Sequence, residues 1–177
     1  MDTGYLNHVI AVESAELCDL MTLYGDDVWS YAYAITKNRE LAKDVAQEAF
    51  IKAYFKIHTF RGQSSFKTWL FAITRNLALN ELKSSYVRRI LLLEKVALRD
   101  TVPSAETVFL NNQTAAEIWE IVMNLSIKLR EVLVLDLEHD LTIKEISMLL
   151  GLSEGTVKSR LFRARKAVER ELDKREE

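Results

Sequence analysis

Apolar residues recur along this chain at intervals of three and four, and no stretch alternates persuasively at period two. That spacing belongs to amphipathic helices, so the predicted fold class is all-α. In DVAQEAFIKAYFKI, residues 44–57, the residues Val45, Ala46, Ala49, Phe50, Ala53 and Ile57 fall on one stripe at about 100° per residue. Asp44, Gln47, Glu48, Ile51 and Phe55 fall on the other side. Residues His58 to Ser65 read as a loop around Gly62, with Ser64 or Ser65 as the cap of a helix starting near Phe66. On that helix Phe66, Leu70, Ile73 and Leu77 form the expected core stripe. Trp69 lies at its edge, and Lys67, Phe71, Arg75 and Lys83 lie outside it. Farther along, Thr142 to Leu150 reads as a short helix burying Ile143, Ile146, Leu149 and Leu150. Gly151 is placed to end it in a left-handed conformation, and Ser153 to cap the next helix, with Glu154 near that helix's positive end. Val157, Leu161, Ala164 and Val168 form the buried stripe of this second helix, which completes helix-turn-helix spacing.

The chain's single proline, Pro103, lies where the periodicity fades. The expected organisation is therefore two small helical domains, residues 1–86 and 112–177, joined by a flexible linker over residues 87–111. No solenoid repeat or low-complexity tract interrupts this order.

Charge narrows the possible partners. With 24 Lys and Arg against 26 Asp and Glu, the formal net charge is −2. A uniformly basic domain that holds nucleic acid through phosphate contacts is thereby excluded, so any DNA contact must be local. The lone cysteine, Cys18, cannot form an internal disulfide, and no signal-peptide pattern opens the chain, so the expected compartment is the cytoplasm. No aliphatic run is longer than four residues, as at Ile90 to Leu93, far short of the roughly 20 residues that span a bilayer. No direct membrane insertion is expected. His8, His58 and His139 have no metal-ligand spacing and there is no Gly-rich phosphate loop; no enzyme activity, metal or cofactor is expected.

Three surfaces carry candidate chemistry. On the first, Ile51 and Phe55 stand among Asp44, Gln47 and Glu48, a composition suited to protein docking and wrong in sign for DNA. A solvated face with two incidental hydrophobes is the competing reading. On the second, aromatic and basic residues beside a polar loop suit single-stranded nucleic acid; core packing explains Trp69 equally well. On the third, Lys158, Ser159, Phe162, Arg163 and Lys166 project opposite the buried stripe of the last helix. An outward phenylalanine among cations fits a thymine methyl or sugar edge in the major groove, with Arg163 or Lys158 reaching guanine or phosphate. Gly155 in the first turn lets backbone approach phosphate. A solvated basic helix is the bland alternative.

Taken in order, AKDVAQEAF, FRGQSSFKTWLFAITRN and LTIKEISMLLGLSEGTVKSRLFRARKA resemble the extracytoplasmic-function (ECF) class of bacterial RNA polymerase sigma factors, over roughly Leu23 to Leu172. The resemblance implies a four-helix promoter-melting domain (sigma-70 region 2-like) and a region 4-like helix-turn-helix domain. It implies binding to core RNA polymerase, through the clamp helices of the largest subunit and the flap of the second-largest, and promoter-specific transcription initiation on promoter DNA. By matching position, Asp44, Gln47, Glu48, Ile51 and Phe55 face the polymerase. Phe60, Arg61, Gln63, Ser64 and Ser65 capture a flipped base of the −10 element, and Lys67, Trp69, Arg75, Asn76 and Asn80 line the melted strand or the adjoining duplex edge. Gly155, Thr156, Lys158, Ser159, Phe162, Arg163 and Lys166 read the −35 element. The resemblance further implies a stress or envelope response restrained by an anti-sigma factor, often membrane-anchored. Departures from the family pattern stand at Leu125-Ser126, usually Leu-Pro, and at Asp136 and Asp140, where the family often has an arginine near the DNA backbone and a turn glycine. An autonomous dimeric helix-turn-helix transcriptional regulator is the alternative function.

Overall fold

The computed structural model of the chain describes the backbone over residues 3–91 and 113–176 and side-chain surroundings over 18–84 and 115–175. Among the described residues are seven α-helices, one 3-10 turn and no strand, in keeping with the all-α expectation. The chain divides into two compact units, one built mainly from residues up to Asn80 and the other mainly from Glu81 onward. The helices are α1 (Thr3–Thr36), α2 (Arg39–Lys56), the 3-10 turn (Ile57–Thr59), α3 (Phe66–Leu91), α4 (Gln113–Asn124), α5 (Ile127–Leu137), α6 (Ile143–Leu150) and α7 (Glu154–Glu176). Helix α3 reaches Leu91, into the segment expected to be linker; the rest of that segment, with Leu92, Leu93 and Pro103, lies outside the described residues. No helix among the described residues is long and apolar enough to cross a membrane.

Among the described residues up to the end of α3 there are three α-helices and the short turn, where the resemblance implies four helices, because α1 runs unbroken for 34 residues. Lys37, at φ 57°, reverses the chain after α1, and the Asn38 side chain accepts a hydrogen bond from the Leu41 amide at 2.9 Å to start α2. Helices α1 and α2 pack along one another. Val28, Tyr31, Ala32 and Ile35 of α1 are buried, as are Ala42, Val45, Ala46, Ala49, Phe50 and Ala53 of α2. Small alanines let the two backbones approach, and the large rings fill what remains.

Two expectations fail here. Ile57 is 46% exposed, because α2 ends at Lys56 and the helical period that would turn Ile57 inward ends with it. Phe71, placed outside the core stripe, is fully buried, its ring stacked on Tyr31 with centroids 4.9 Å apart. The buried arc of α3 is rotated toward Thr68, Phe71, Thr74 and Ala78, whereas Phe66 and Ile73 are only half-buried. Both threonines satisfy their hydroxyls locally: Thr74 donates to the Leu70 carbonyl at 3.0 Å, and Thr68 bonds the Ser65 hydroxyl at 2.8 Å.

In the second unit α5 packs on α4 and α7. Val132, Leu133, Val134 and Leu135 are all buried, so α5 is enclosed nearly all round. Arg130, also buried, donates through Nη1 to the carbonyls of Met123 at 2.7 Å and Leu125 at 3.0 Å, satisfying the end of α4. Asp140 adopts φ 54°, a left-handed conformation that aspartate tolerates better than most residues. Glycine takes that conformation without strain, which is the physical reason a turn glycine often stands there in the family pattern. Thr142 and Glu145 form a capping box: the Glu145 carboxylate accepts from the Thr142 amide at 3.0 Å and its hydroxyl at 2.8 Å, while Thr142 Oγ1 accepts from the Glu145 amide at 3.3 Å. Helix α6 accordingly begins one residue later than expected. It ends as expected, with Gly151 at φ 65° and the Leu152 amide donating to Ser147 at 3.0 Å.

Candidate polymerase and nucleic-acid interfaces

Helix α2 separates its two faces cleanly. Opposite the buried alanines, Asp44, Gln47, Glu48, Ile51 and Phe55 are all exposed, Ile51 by 43% and Phe55 by 70%. Glu48 pairs with Lys52 at 2.7 Å along the helix, with both side chains nearly half exposed. The pair keeps the acidic rim ordered without burying charge. Phe55 meets Tyr54 edge-on, 5.6 Å between centroids, and otherwise presents its ring outward. An apolar centre inside an acidic and amide rim is thus a property of the folded helix.

The loop between the 3-10 turn and α3 is anchored by aromatics. Phe60 is half-buried and lies 5.7 Å from Phe66 and 5.5 Å from Trp69; Phe66 and Trp69 are 5.5 Å apart, and Tyr24 of α1 closes on Phe66 at 5.4 Å. Gly62, at φ 68°, supplies the left-handed turn. Ser65, not Ser64, caps α3: its hydroxyl accepts from the Thr68 amide at 3.1 Å. Between these fixed points Arg61 and Gln63 are exposed and Ser64 is half-buried.

Helix α3 does not bring all its nominated residues together. At about 100° per residue Trp69, Asn76 and Asn80 follow one line down the helix. Lys67 and Arg75 lie well round from that line. Lys67 pairs with Asp27 at 2.8 Å and sits over the Phe71 ring at 5.6 Å, so its charge ties α3 to α1. Trp69, expected either to stack on bases or to pack in the core, is half-buried within the aromatic cluster.

Helix α7 begins with Ser153 accepting from the Thr156 amide at 3.2 Å and sharing a hydroxyl–hydroxyl bond with Thr156 at 2.9 Å. Thr156 is half-buried in this cap. Val157, Leu161 and Ala164 are buried, whereas Gly155, Lys158, Ser159, Phe162, Arg163 and Lys166 are exposed. A Cβ at Gly155 would meet only Ser153 Oγ at 4.0 Å. The fold therefore does not require glycine there, and its effect is to leave bare backbone on the outer face. Phe162 is 62% exposed, with Lys166 Nζ 5.3 Å from its ring centroid, a cation–π contact that keeps a charge beside an aromatic surface. Arg163 Nε donates to the Ser159 carbonyl at 3.3 Å, which aligns the guanidinium along the helix.

Arg160, Arg165, Arg170, Lys174 and Arg175 of this helix lie outside the expected −35 set. Arg165, on the shoulder of the exposed face, donates to the Asp136 carboxylate at 2.7 Å. Asp136 and Arg165 are 29 residues apart, beyond any helical spacing rule. A groove of about 620 Å³, lined by Ile118, Val122, Leu137, Phe162 and Leu172 among others, runs beside the same shoulder. Near the end of α7, Lys174 bonds Glu171 at 2.7 Å and holds that carboxyl below its usual pKa. Among the described residues no cluster of His, Cys, Asp and Glu could hold a metal ion.

Sequence comparison supplies the family context. Sigma-70 region 2 matches residues 20–87, and Sigma-70, region 4 matches residues 115–168. The chain is 30% identical over 165 residues to the ECF RNA polymerase sigma factor SigW of Bacillus subtilis, covering 87% of each chain. It is 34% identical over 165 residues to the RNA polymerase sigma-H factor of Pseudomonas aeruginosa, covering 87% of this chain and 85% of that one. Among solved structures, the sigma factor RpoE of Bartonella quintana, in complex with the anti-sigma factor NepR, superposes with a TM-score of 0.71 at 22% identity, over 89% of this chain and 97% of that one. CnrH in complex with the cytosolic domain of CnrY gives 0.61 at 21% identity, over 90% and 89% of the two chains. These two likenesses bear on the fold.

Proposed function

From the premise that this chain belongs to the ECF family of RNA polymerase sigma factors, we propose how its surfaces divide the work of promoter-specific transcription initiation. The acidic and apolar face of α2, with Asp44, Gln47, Glu48, Ile51 and Phe55, docks on the clamp helices of the largest polymerase subunit. The groove at Ile118, Leu137 and Leu172 takes the flap of the second-largest. Phe60, Arg61, Gln63, Ser64 and Ser65 hold a flipped −10 base, with the aromatic cluster fixing the loop before DNA arrives. Trp69, Asn76 and Asn80 follow the melted strand along one line of α3, whereas Lys67, held by Asp27, and Arg75 lie too far round the helix to join them. Gly155, Thr156, Lys158, Ser159, Phe162, Arg163 and Lys166 meet the −35 element in the major groove. The sites work in the cytoplasm on a polymerase that performs all the chemistry; this chain contributes binding and orientation.

The observation that carries this reading is the presence of two exposed faces of opposite character in one chain. The α2 face offers carboxylates around apolar side chains, and the α7 face offers cations around Phe162. An autonomous dimeric regulator would need the second face and has no use for the first beside a matched region 2. By extension from the complexes of RpoE with NepR and CnrH with CnrY, an anti-sigma factor is the restraining partner. Adding the purified chain to core polymerase on a library of genomic fragments is expected to yield transcripts whose start sites share −35 and −10 elements. Start sites no more ordered than those of core polymerase alone would overturn the reading.

Arg163 gives a sharper test within the same system. Its guanidinium is exposed on the outer face and aligned by Ser159. Arg163→Ala is expected to lose about 1–3 kcal/mol of discrimination at one −35 position. Ranking transcription across all single substitutions of the −35 element checks this, and an unchanged ranking would remove Arg163 from base reading.

A further inference from the structure

The Asp136–Arg165 pair sits where the proposed −35 face meets the end of α5. At about 100° per residue Lys158, Phe162 and Arg165 run along one flank of α7. Phe162 and Lys158 are exposed, and the Arg165 side chain is 60% exposed, so the flank is open to a ligand approaching the helix. Asp136 is different: its side chain is only 20% exposed, and one carboxylate oxygen lies 2.7 Å from an Arg165 terminal nitrogen. It belongs to the last turn of α5, which ends at Leu137. Helix C-termini carry partial negative charge, so a carboxylate there is poorly placed unless a cation answers it. Arg165 answers both the carboxylate and the helix end.

We infer that Asp136 is a built-in counter-charge that cancels Arg165 on the DNA-facing flank of α7 and thereby sets how strongly this helix is drawn to phosphate. The inference rests on the proposed −35 face. Affinity for the phosphate backbone grows with the number of cations that displace counterions, and a neighbouring carboxylate offsets a cation's share of that attraction. Phosphate contacts carry no sequence information, so cancelling one weakens binding to promoter and random DNA alike. The consequence fits a chain of net charge −2. Its last helix keeps base-edge groups such as Arg163 and Phe162 while shedding attraction to DNA in general, and firm promoter binding then depends on polymerase.

The test is a charge cycle on the full chain assembled with core polymerase, measured on a promoter-bearing duplex and on a random duplex between 50 and 200 mM salt. Asp136→Asn, with Asp136→Ser as a second variant, is expected to bind both duplexes more tightly than the parent. The slope of log affinity against log salt should steepen by about 0.9, so that the advantage falls about 3.5-fold across this salt range. Adding Arg165→Gln to Asp136→Asn restores a zero local charge and should return the slope to the parent's. An Asp136→Asn slope equal to the parent's, or a gain that survives Arg165→Gln, overturns the inference. Lys158→Gln separates this from a failure of the −35 face itself: a shallower slope keeps the face and leaves only the Asp136 result in question. An unchanged slope removes the face and the inference together.

Discussion

Replacing Phe71 by alanine is expected to cost about 3–5 kcal/mol, the range for truncating a buried phenylalanine. The ring is fully buried and stacked on Tyr31, so truncation removes a large apolar volume, an aromatic pair and the surface over which Lys67 sits. A domain is stabilised by only about 5–15 kcal/mol in total, so this single change approaches the margin of the first unit. Phe55→Ala, at a position 70% exposed, is expected to change stability by no more than about 0.5 kcal/mol. Amide exchange of α1, α2 and α3 under increasing urea measures the first unit by itself. Equal loss of protection in the two variants would contradict the burial pattern.

Phe71 also shows where sequence reasoning stops. A stripe of Phe66, Leu70, Ile73 and Leu77 is a sound guess when threonines count as polar. In the folded chain Thr68 and Thr74 are buried with their hydroxyls bonded to Ser65 and to the Leu70 carbonyl, so they behave as apolar surface and turn α3 toward Phe71. Ile57 departs from its stripe for a different reason: α2 ends at Lys56, and the 100° period ends with it. Elsewhere local chemistry was decisive. The Ser153 cap, the left-handed Gly151 and the buried Val157, Leu161 and Ala164 follow from spacing, and with them the exposure of Phe162 and Arg163; Val168, expected on the same stripe, is only half-buried. The Asp136–Arg165 pair was illegible because two helices remote in sequence must fold before those groups meet.

These differences matter for how the surfaces are used. Lys67 and Arg163 look equivalent in sequence, as basic residues near aromatic ones. In the structure Lys67 is spent on Asp27 and Phe71, whereas Arg163 is exposed and held along its own helix by Ser159. Positive charge on this chain is therefore partitioned between holding the fold and facing outward, and the near-neutral total hides the division. The same partition applies to apolar surface: α2 buries its alanines and Phe50, and leaves Ile51 and Phe55 outside.

That leftover apolar surface leads to the second large effect. The double substitution Ile51→Asp with Phe55→Asp is expected to weaken binding to core polymerase at least about 30-fold, which corresponds to about 2 kcal/mol. Central apolar anchors carry most of the energy of a docking surface, and truncating one commonly costs 2 kcal/mol or more. Placing carboxylates at the centre also adds charge that cannot be buried without a partner. Both side chains are substantially exposed, at 43% and 70%, so the fold should tolerate the change and the helical melting profile should stay close to the parent's. Asp44→Asn, on the rim, should instead slow association and soften its salt dependence, with a smaller effect on affinity. Association and dissociation rates measured with immobilised core polymerase separate these outcomes. A double variant that melts normally and binds polymerase with parental affinity would take the docking role away from α2.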